Sequence, residues 1–126
     1  MTNVLVIDDQ ATFRRAITRL LRRSGLVVLE AADGESGLAV AVAQPAIALV
    51  MVDCKMPGIS GFEVITSLRR DRRFDRTKIV MVTGLEDDVA AELAIVAGAD
   101  GCLTKPFTEA ALIAQLDRVG VHRQVA

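Results

Sequence analysis

Five short apolar runs recur along the chain, at 4–7, 27–31, 48–52, 78–82 and 101–104, each broken by polar or glycine-bearing sequence. Continuous apolar runs of this length, rich in Val and Ile, read as strands buried on both faces of a parallel sheet. The stretches between them carry helical periodicity and predict helices near 10–23, 34–43, 61–70, 87–97 and 108–119. In the first of these, Phe13, Ile17, Leu20 and Leu21 follow the i, i+4, i+7, i+8 stripe of a helix with one apolar face. Val89, Leu93 and Val96 predict the buried stripe of the fourth helix, with Ile95 projecting to the opposite side, and Leu112, Leu116 and Val119 that of the fifth. Gly25 and Gly98 are expected to end the first and fourth helices, and Thr108 to cap the fifth. Strand and helix alternating five times imply βαβ units and a sheet covered on both faces. The polar stretch from Arg69 to Lys78 is expected to be an exposed connection.

Composition narrows the class. The 126 residues are expected to form one domain, 1–126, with a substantial core. The chain is 52% hydrophobic but 25% charged, and no run approaches the ~20 apolar residues of a membrane span. Asp8 and Asp9 interrupt the first apolar stretch at once, unlike a secretory signal, and a cytoplasmic protein is expected. A net charge of −1 gives no global attraction to nucleic acid. Cys54 and Cys102 are too few for a disulfide framework and are expected to act as small reduced hydrophobes. His122, the only histidine, lies near the C-terminal end, which argues against a zinc site or a serine–histidine hydrolase. No glycine-rich nucleotide cradle is present.

The chemistry lies where the strands end. Val4–Ile7 runs into Asp8-Asp9, and the third strand runs into Asp53. In open parallel sheets ligands bind beyond the carboxyl ends of the strands, so these acids are expected to share one pocket. Three crowded carboxylates repel, raising a pKa unless a cation intervenes, and Mg2+ is the natural one because it takes oxygen ligands and keeps waters for a phosphate. Taken singly, these residues have blander uses. Asp8-Asp9 could cap a helix, Thr83 could close a strand, and Lys105 could be a solvated surface lysine.

Four blocks in order, VLVIDDQ, VMVDCKMPGISG, IVMVTG and LTKPF, make the chain resemble the response-regulator receiver domain over nearly its whole length. The resemblance implies an α/β fold, a doubly wound five-stranded parallel sheet in the flavodoxin-like order 2-1-3-4-5, flanked by five helices. It also implies a phosphorelay switch rather than a turnover enzyme. Asp53 would take a phosphoryl group from a histidine kinase or histidine phosphotransfer protein. Asp8, Asp9, Asp53 and the main-chain carbonyl of Lys55 would hold Mg2+. Lys105 and Thr83 would contact phosphoryl oxygens, Gly84 would let the backbone approach, and Pro106 would follow a cis bond. The first helix and site loops would receive the phosphodonor, which its Arg14, Arg15, Arg19, Arg22 and Arg23 could attract. The face of fourth helix, fifth strand and fifth helix would meet a downstream protein or a second copy. Direct nucleic-acid contact and membrane insertion are not expected.

The chain departs from the resemblance at Cys102, the switch position where the family commonly carries an aromatic ring or histidine. Cysteine is too small for an inward rotamer change to signal through, so movement of the loop from Thr83 to Asp88 is expected to carry the switch instead. Lys55 could reach over a phosphoryl group, and Leu85 offers nothing to orient a water, so a long-lived phospho-aspartate is expected. The alternative is a pseudo-receiver, an interaction module independent of phosphate. A phosphatase of the haloacid-dehalogenase kind would need a second aspartate two residues after its nucleophile, where Lys55 stands.

Overall fold

The computed structural model describes residues 2–44, 46–84 and 89–121. Leu85, the Thr83–Asp88 loop beyond Gly84, the start of the expected fourth helix and His122 therefore lie outside the described residues. The elements run β1 (Asn3–Ile7), α1 (Ala11–Arg23), β2 (Val27–Ala31), α2 (Gly34–Ala43), β3 (Ile47–Asp53), α3 (Gly61–Arg69), β4 (Lys78–Gly84), α4 (Ala90–Ala97), β5 (Gly101–Lys105) and α5 (Glu109–Val119). All strand pairs are parallel, in the order β2-β1-β3-β4-β5.

Alternation along the central strands divides the interior in two. Leu5, Ile7, Val50, Val52, Ile79 and Met81 point into one core, which α2, α3 and α4 cover. Val4, Val6, Leu49, Met51, Val80 and Val82 point into the other, beneath α1 and α5. Every one of these strand residues is at most 1% exposed. The uninterrupted apolar runs follow from this: a strand sandwiched between helical layers has no polar face. Ile17, Leu21, Leu112, Leu116 and Val119 are buried as their stripes predict. Gly25 and Gly98 take positive φ after their helices, and the Thr108 hydroxyl accepts from Ala111 N–H at 3.1 Å.

Two expectations are corrected. In α4 the buried residues are Ala90 and Ala94, whereas Val89, Leu93, Ile95 and Val96 are all at least half exposed. Positions 90, 94 and 97 form an i, i+4, i+7 stripe one residue out of phase with 89, 93 and 96. The small stripe wins because α4 seats its alanines against the sheet and α3, leaving the branched side chains outside. The connection after α3 is not simply exposed. A 3-10 turn at Arg72–Phe74 buries Phe74, and Arg69 donates to the carbonyls of Gly98 and Phe74 and to Asp100. Asp100 Oδ2 also accepts from Ile79 N–H at 2.8 Å, so this clamp ties α3, β4 and the α4–β5 turn together.

Gly61 joins the fold to the acidic strand end. Its N–H donates to the Cys54 carbonyl at 2.9 Å, and a Cβ there would stand 2.4 Å from the Asp53 carbonyl oxygen. Backbone cannot move aside as a side chain can. Gly61→Ala is expected to lower stability by about 2–3 kcal/mol, read from the denaturant midpoint at unchanged m-value.

Candidate functional site

Asp8 follows β1 directly and Asp53 is the last residue of β3, and these strands are neighbours, so the two carboxylates are brought together by register alone. Asp8 and Asp53 are 1% and 8% exposed, while Asp9 is exposed, and one carboxylate oxygen from each lies within 4.8 Å of the others. Asp8 Oδ1 accepts from Gln10 N–H at 2.8 Å, which fixes the turn into α1. The cap position of α1 is Gln10, without a side-chain capping bond, so the simple helix-cap reading of the acidic pair does not apply.

Lys105, at the end of β5, crosses to this cluster from two strands away. Its Nζ stands 3.0 Å from Asp8 Oδ2 and 3.3 Å from Asp53 Oδ1. Its register partner on the intervening strand is Gly84, which puts no side chain in the path. Nζ also donates to Gln10 Oε1 at 3.2 Å and sits 4.2 Å from the centroid of the Phe13 ring. Phe13 is held edge-on by Phe107, with centroids 5.5 Å apart. Along the sequence Gln10 reads only as the first residue of a helix and Phe13 only as a core residue. The signal for their second role is that Phe13 lies three residues after Gln10, on the α1 turn that opens at the strand end.

A pocket of about 210 Å³ opens beside Asp53 and is lined by Gln10, Cys54, Lys55, Thr83, Gly84 and Lys105. Thr83 is buried at the end of β4, Lys55 is exposed at the rim, and the Lys105–Pro106 peptide is cis. Cys102 lies elsewhere: it pairs with Met81, is half-buried against the core beneath α2, α3 and α4, and its carbonyl accepts from Gln115.

Burial pushes the Asp53 carboxyl up from 3.8 to about 6, aided by the charge of Asp8 and contact with Asp9, while Lys105 pulls it down. The site is thus short of positive charge. Asp8 Oδ2 has Lys105 at ion-pair distance, but no donor in hydrogen-bond alignment among the described residues. A buried carboxylate oxygen without an aligned donor, in a set of three acids, fits a hard divalent cation.

The chain belongs to the response regulator receiver domain family, whose profile it matches over residues 4–117. It is 32% identical to the chemotaxis protein CheY-3 of Vibrio cholerae over 117 residues, covering 92% of this chain and 89% of the relative. It is 36% identical to the transcriptional regulatory protein AfsQ1 of Streptomyces coelicolor over 119 residues, covering 94% of this chain and 51% of the relative. The crystal structure of the Vibrio cholerae chemotaxis protein CheY4 superposes with a TM-score of 0.88 at 32% identity, covering 94% of this chain and 98% of that one. The chain spans about half the length of the first curated relatives it matches. Receiver domains are signalling switches that bind Mg2+ at an acidic pocket, and the three aspartates form such a cluster. No helix among the described residues is long and apolar enough to cross a membrane.

A raised carboxyl pKa has a definite sign in stability. Between pH 3.8 and about 6 the unfolded Asp53 ionises while the folded one keeps its proton, so the folded state loses stability as pH rises through this window. The whole shift amounts to about 3 kcal/mol, offset in part when Lys105 loses its partner. Without added metal, Asp53→Asn is expected to be more stable than the parent at pH 7.5 by about 1–2 kcal/mol. The difference should close near pH 4 and shrink on adding Mg2+; denaturant midpoints at both pH values check this.

Proposed function

We propose that this chain is a phosphoaccepting receiver, a domain spanning 1–126, in which Asp53 takes a phosphoryl group from a phosphohistidine of a kinase or phosphotransfer protein. The observation that carries the reading is Asp53 itself, a carboxylate at a strand end facing a small pocket, with a lysine 3.3 Å away and two further acids beside it. An Asp53 oxygen forms the new bond to phosphorus as the P–N bond to histidine breaks, and the histidine nitrogen leaves as a neutral ring or takes a proton. Asp8, Asp9, Asp53 and the Lys55 carbonyl would hold Mg2+, which neutralises the charge gathering on the phosphoryl oxygens.

The protein's own groups complete the site. Lys105 is kept in place by Gln10 and the Phe13 ring, so its ammonium can pass from the Asp53 carboxylate to a phosphoryl oxygen with little motion. The buried Thr83 hydroxyl supplies a donor to the phosphoryl group, and Gly84 leaves room for it. Lys55 at the rim would screen the phosphoryl group from water, giving a long-lived adduct. The chain acts as a switch and not as a turnover enzyme. Phosphodonors would dock at the opening of α1 and the site loops. The exposed Val89, Leu93, Ile95 and Val96 supply the apolar part of an output or dimer surface on the face of α4, β5 and α5. Cys102, half-buried and without an aromatic ring, leaves the rearrangement to the end of β4 and the loop after it.

Incubation with acetyl phosphate and Mg2+ is expected to add a single phosphoryl mass, absent in Asp53→Asn and without metal. A folded, Mg2+-binding protein that takes phosphate neither from acetyl phosphate nor from a phosphohistidine donor would instead be a pseudo-receiver. Decay of the adduct followed by intact mass is expected to quicken about threefold in Lys55→Asn, an effect of under ~1 kcal/mol on the barrier.

A further inference from the structure

A groove larger than the acidic pocket runs along α1. Arg15, Thr18, Arg19, Arg22 and Arg23 stand on one face of α1 at i, i+3, i+4, i+7 and i+8, and with Glu30 of β2 they line a groove of about 480 Å³. Its charge is left largely uncompensated. Among the described residues Arg15 and Arg19 pair with no carboxylate, and Arg23 reaches Glu109 only at 3.8 Å, with both side chains more than half exposed. Arg22 makes one long bond, 3.4 Å, to the Val28 carbonyl. Glu30 is held by Arg14 at 3.0 Å and does not serve the row. Like charges at i, i+4 destabilise a helix, and the first turn of α1 carries no acid to offset them.

A solvated basic face would account for the arginines but not for Thr18. Thr18 is 3% exposed, and its hydroxyl has no hydrogen-bond partner among the described residues, not even the carbonyl one turn back. Valine has the same shape and would fill the space without stranding a polar atom, so packing alone does not explain a hydroxyl here. A buried unmatched donor beneath Arg15 and Arg19, two guanidiniums with no carboxylate partner among the described residues, is the inventory of an anion site. Planar guanidinium forks match phosphate oxygens two at a time. The row extends over nine residues of helix, about 12 Å from first to last, which suits a chain of phosphates better than a single one. Among the described residues no aromatic ring lines the groove.

We propose that the groove between α1 and β2 binds a linear di- or triphosphate anion, gripped by the Arg15 and Arg19 forks, whose stems part on binding to let the Thr18 hydroxyl, closed off from water in the free protein, donate to a phosphate oxygen. The ligand is the phosphate chain of a nucleotide or an inorganic polyphosphate, and the site is separate from phosphoryl transfer at Asp53.

The full chain, without divalent metal and at about 0.15 M salt, would be titrated with tripolyphosphate, pyrophosphate, ADP and orthophosphate by calorimetry and amide NMR. Binding of tripolyphosphate at least tenfold tighter than orthophosphate is expected, with shifts confined to residues 15–23 and 28–30. Arg15→Gln with Arg19→Gln should weaken it more than tenfold, and Arg19→Lys, which keeps the charge but loses the fork, about threefold. Thr18→Val should weaken binding about fivefold while raising the thermal midpoint, because it removes the unmatched hydroxyl. ADP binding tighter than pyrophosphate would name a nucleotide as the occupant, and equal binding an inorganic chain; both support the proposal. Unchanged affinity in Thr18→Val, or shifts spread over Arg69–Arg76 as well, would reduce the groove to unspecific attraction and overturn it. So would absence of binding together with slowed phosphoryl transfer in the double arginine variant, which would make the row a protein-docking surface.

Discussion

Asp8 and Asp53 are held almost out of water on adjacent strands, with Asp9 at their rim, and an ammonium from two strands away is what keeps this crowding tolerable. The sheet order produces the problem and its partial answer together. Placing β1 beside β3 forces the acids into contact, while placing β4 between β3 and β5 sets how far Lys105 must reach. The lysine does not offset burial and the charge of Asp8 together, since Asp53 is still pushed to about 6. A site left with unbalanced negative charge is one that cations can act upon. Burial first, and repulsion from Asp8 second, are therefore the source of its sensitivity, and the packed strands on either side are what prevent it from relaxing by moving apart.

Much of this could be read along the chain because the signals were redundant. The five apolar runs had no polar face to confuse their assignment, and the acids at Asp8, Asp9 and Asp53 lay at run ends, where parallel sheets place their ligands. Helix α4 was illegible for a complementary reason. Two apolar stripes of identical period run one residue apart, and a rule that weighs hydrophobicity by size picks valine, leucine and valine over three alanines. Only the closeness of α4 to its neighbours decides between them, and closeness is a tertiary property. Phe74 and Arg69 were missed similarly: one buried ring and one clamped guanidinium sit within a stretch whose average is polar.

Gln10 and Phe13 show a different limit. Both side chains have ordinary uses, and nothing in their spacing marks them as company for a lysine 92 residues or more further along. The fold assigns them that role by bringing α1 and the end of β5 to the same place. Residues that position a charge are harder to read than those that bear it, because any polarisable or hydrogen-bonding group at the right height will serve.

The arginines of α1 also bear on the solubility of the sheet. Strand β2 is an edge, and Val27 N–H and the Ala31 carbonyl turn inward to the β1 side, so the backbone groups of Val28 and Glu30 face outward. An outward row of this kind is a template onto which another chain can add a strand. Arg22 occupies the Val28 carbonyl, and Arg14 pairs with the side chain of Glu30, the next outward residue. The helix thus guards the open flank of the sheet with charge, and drawing Arg22 away from Val28 would expose a site for strand addition and self-association.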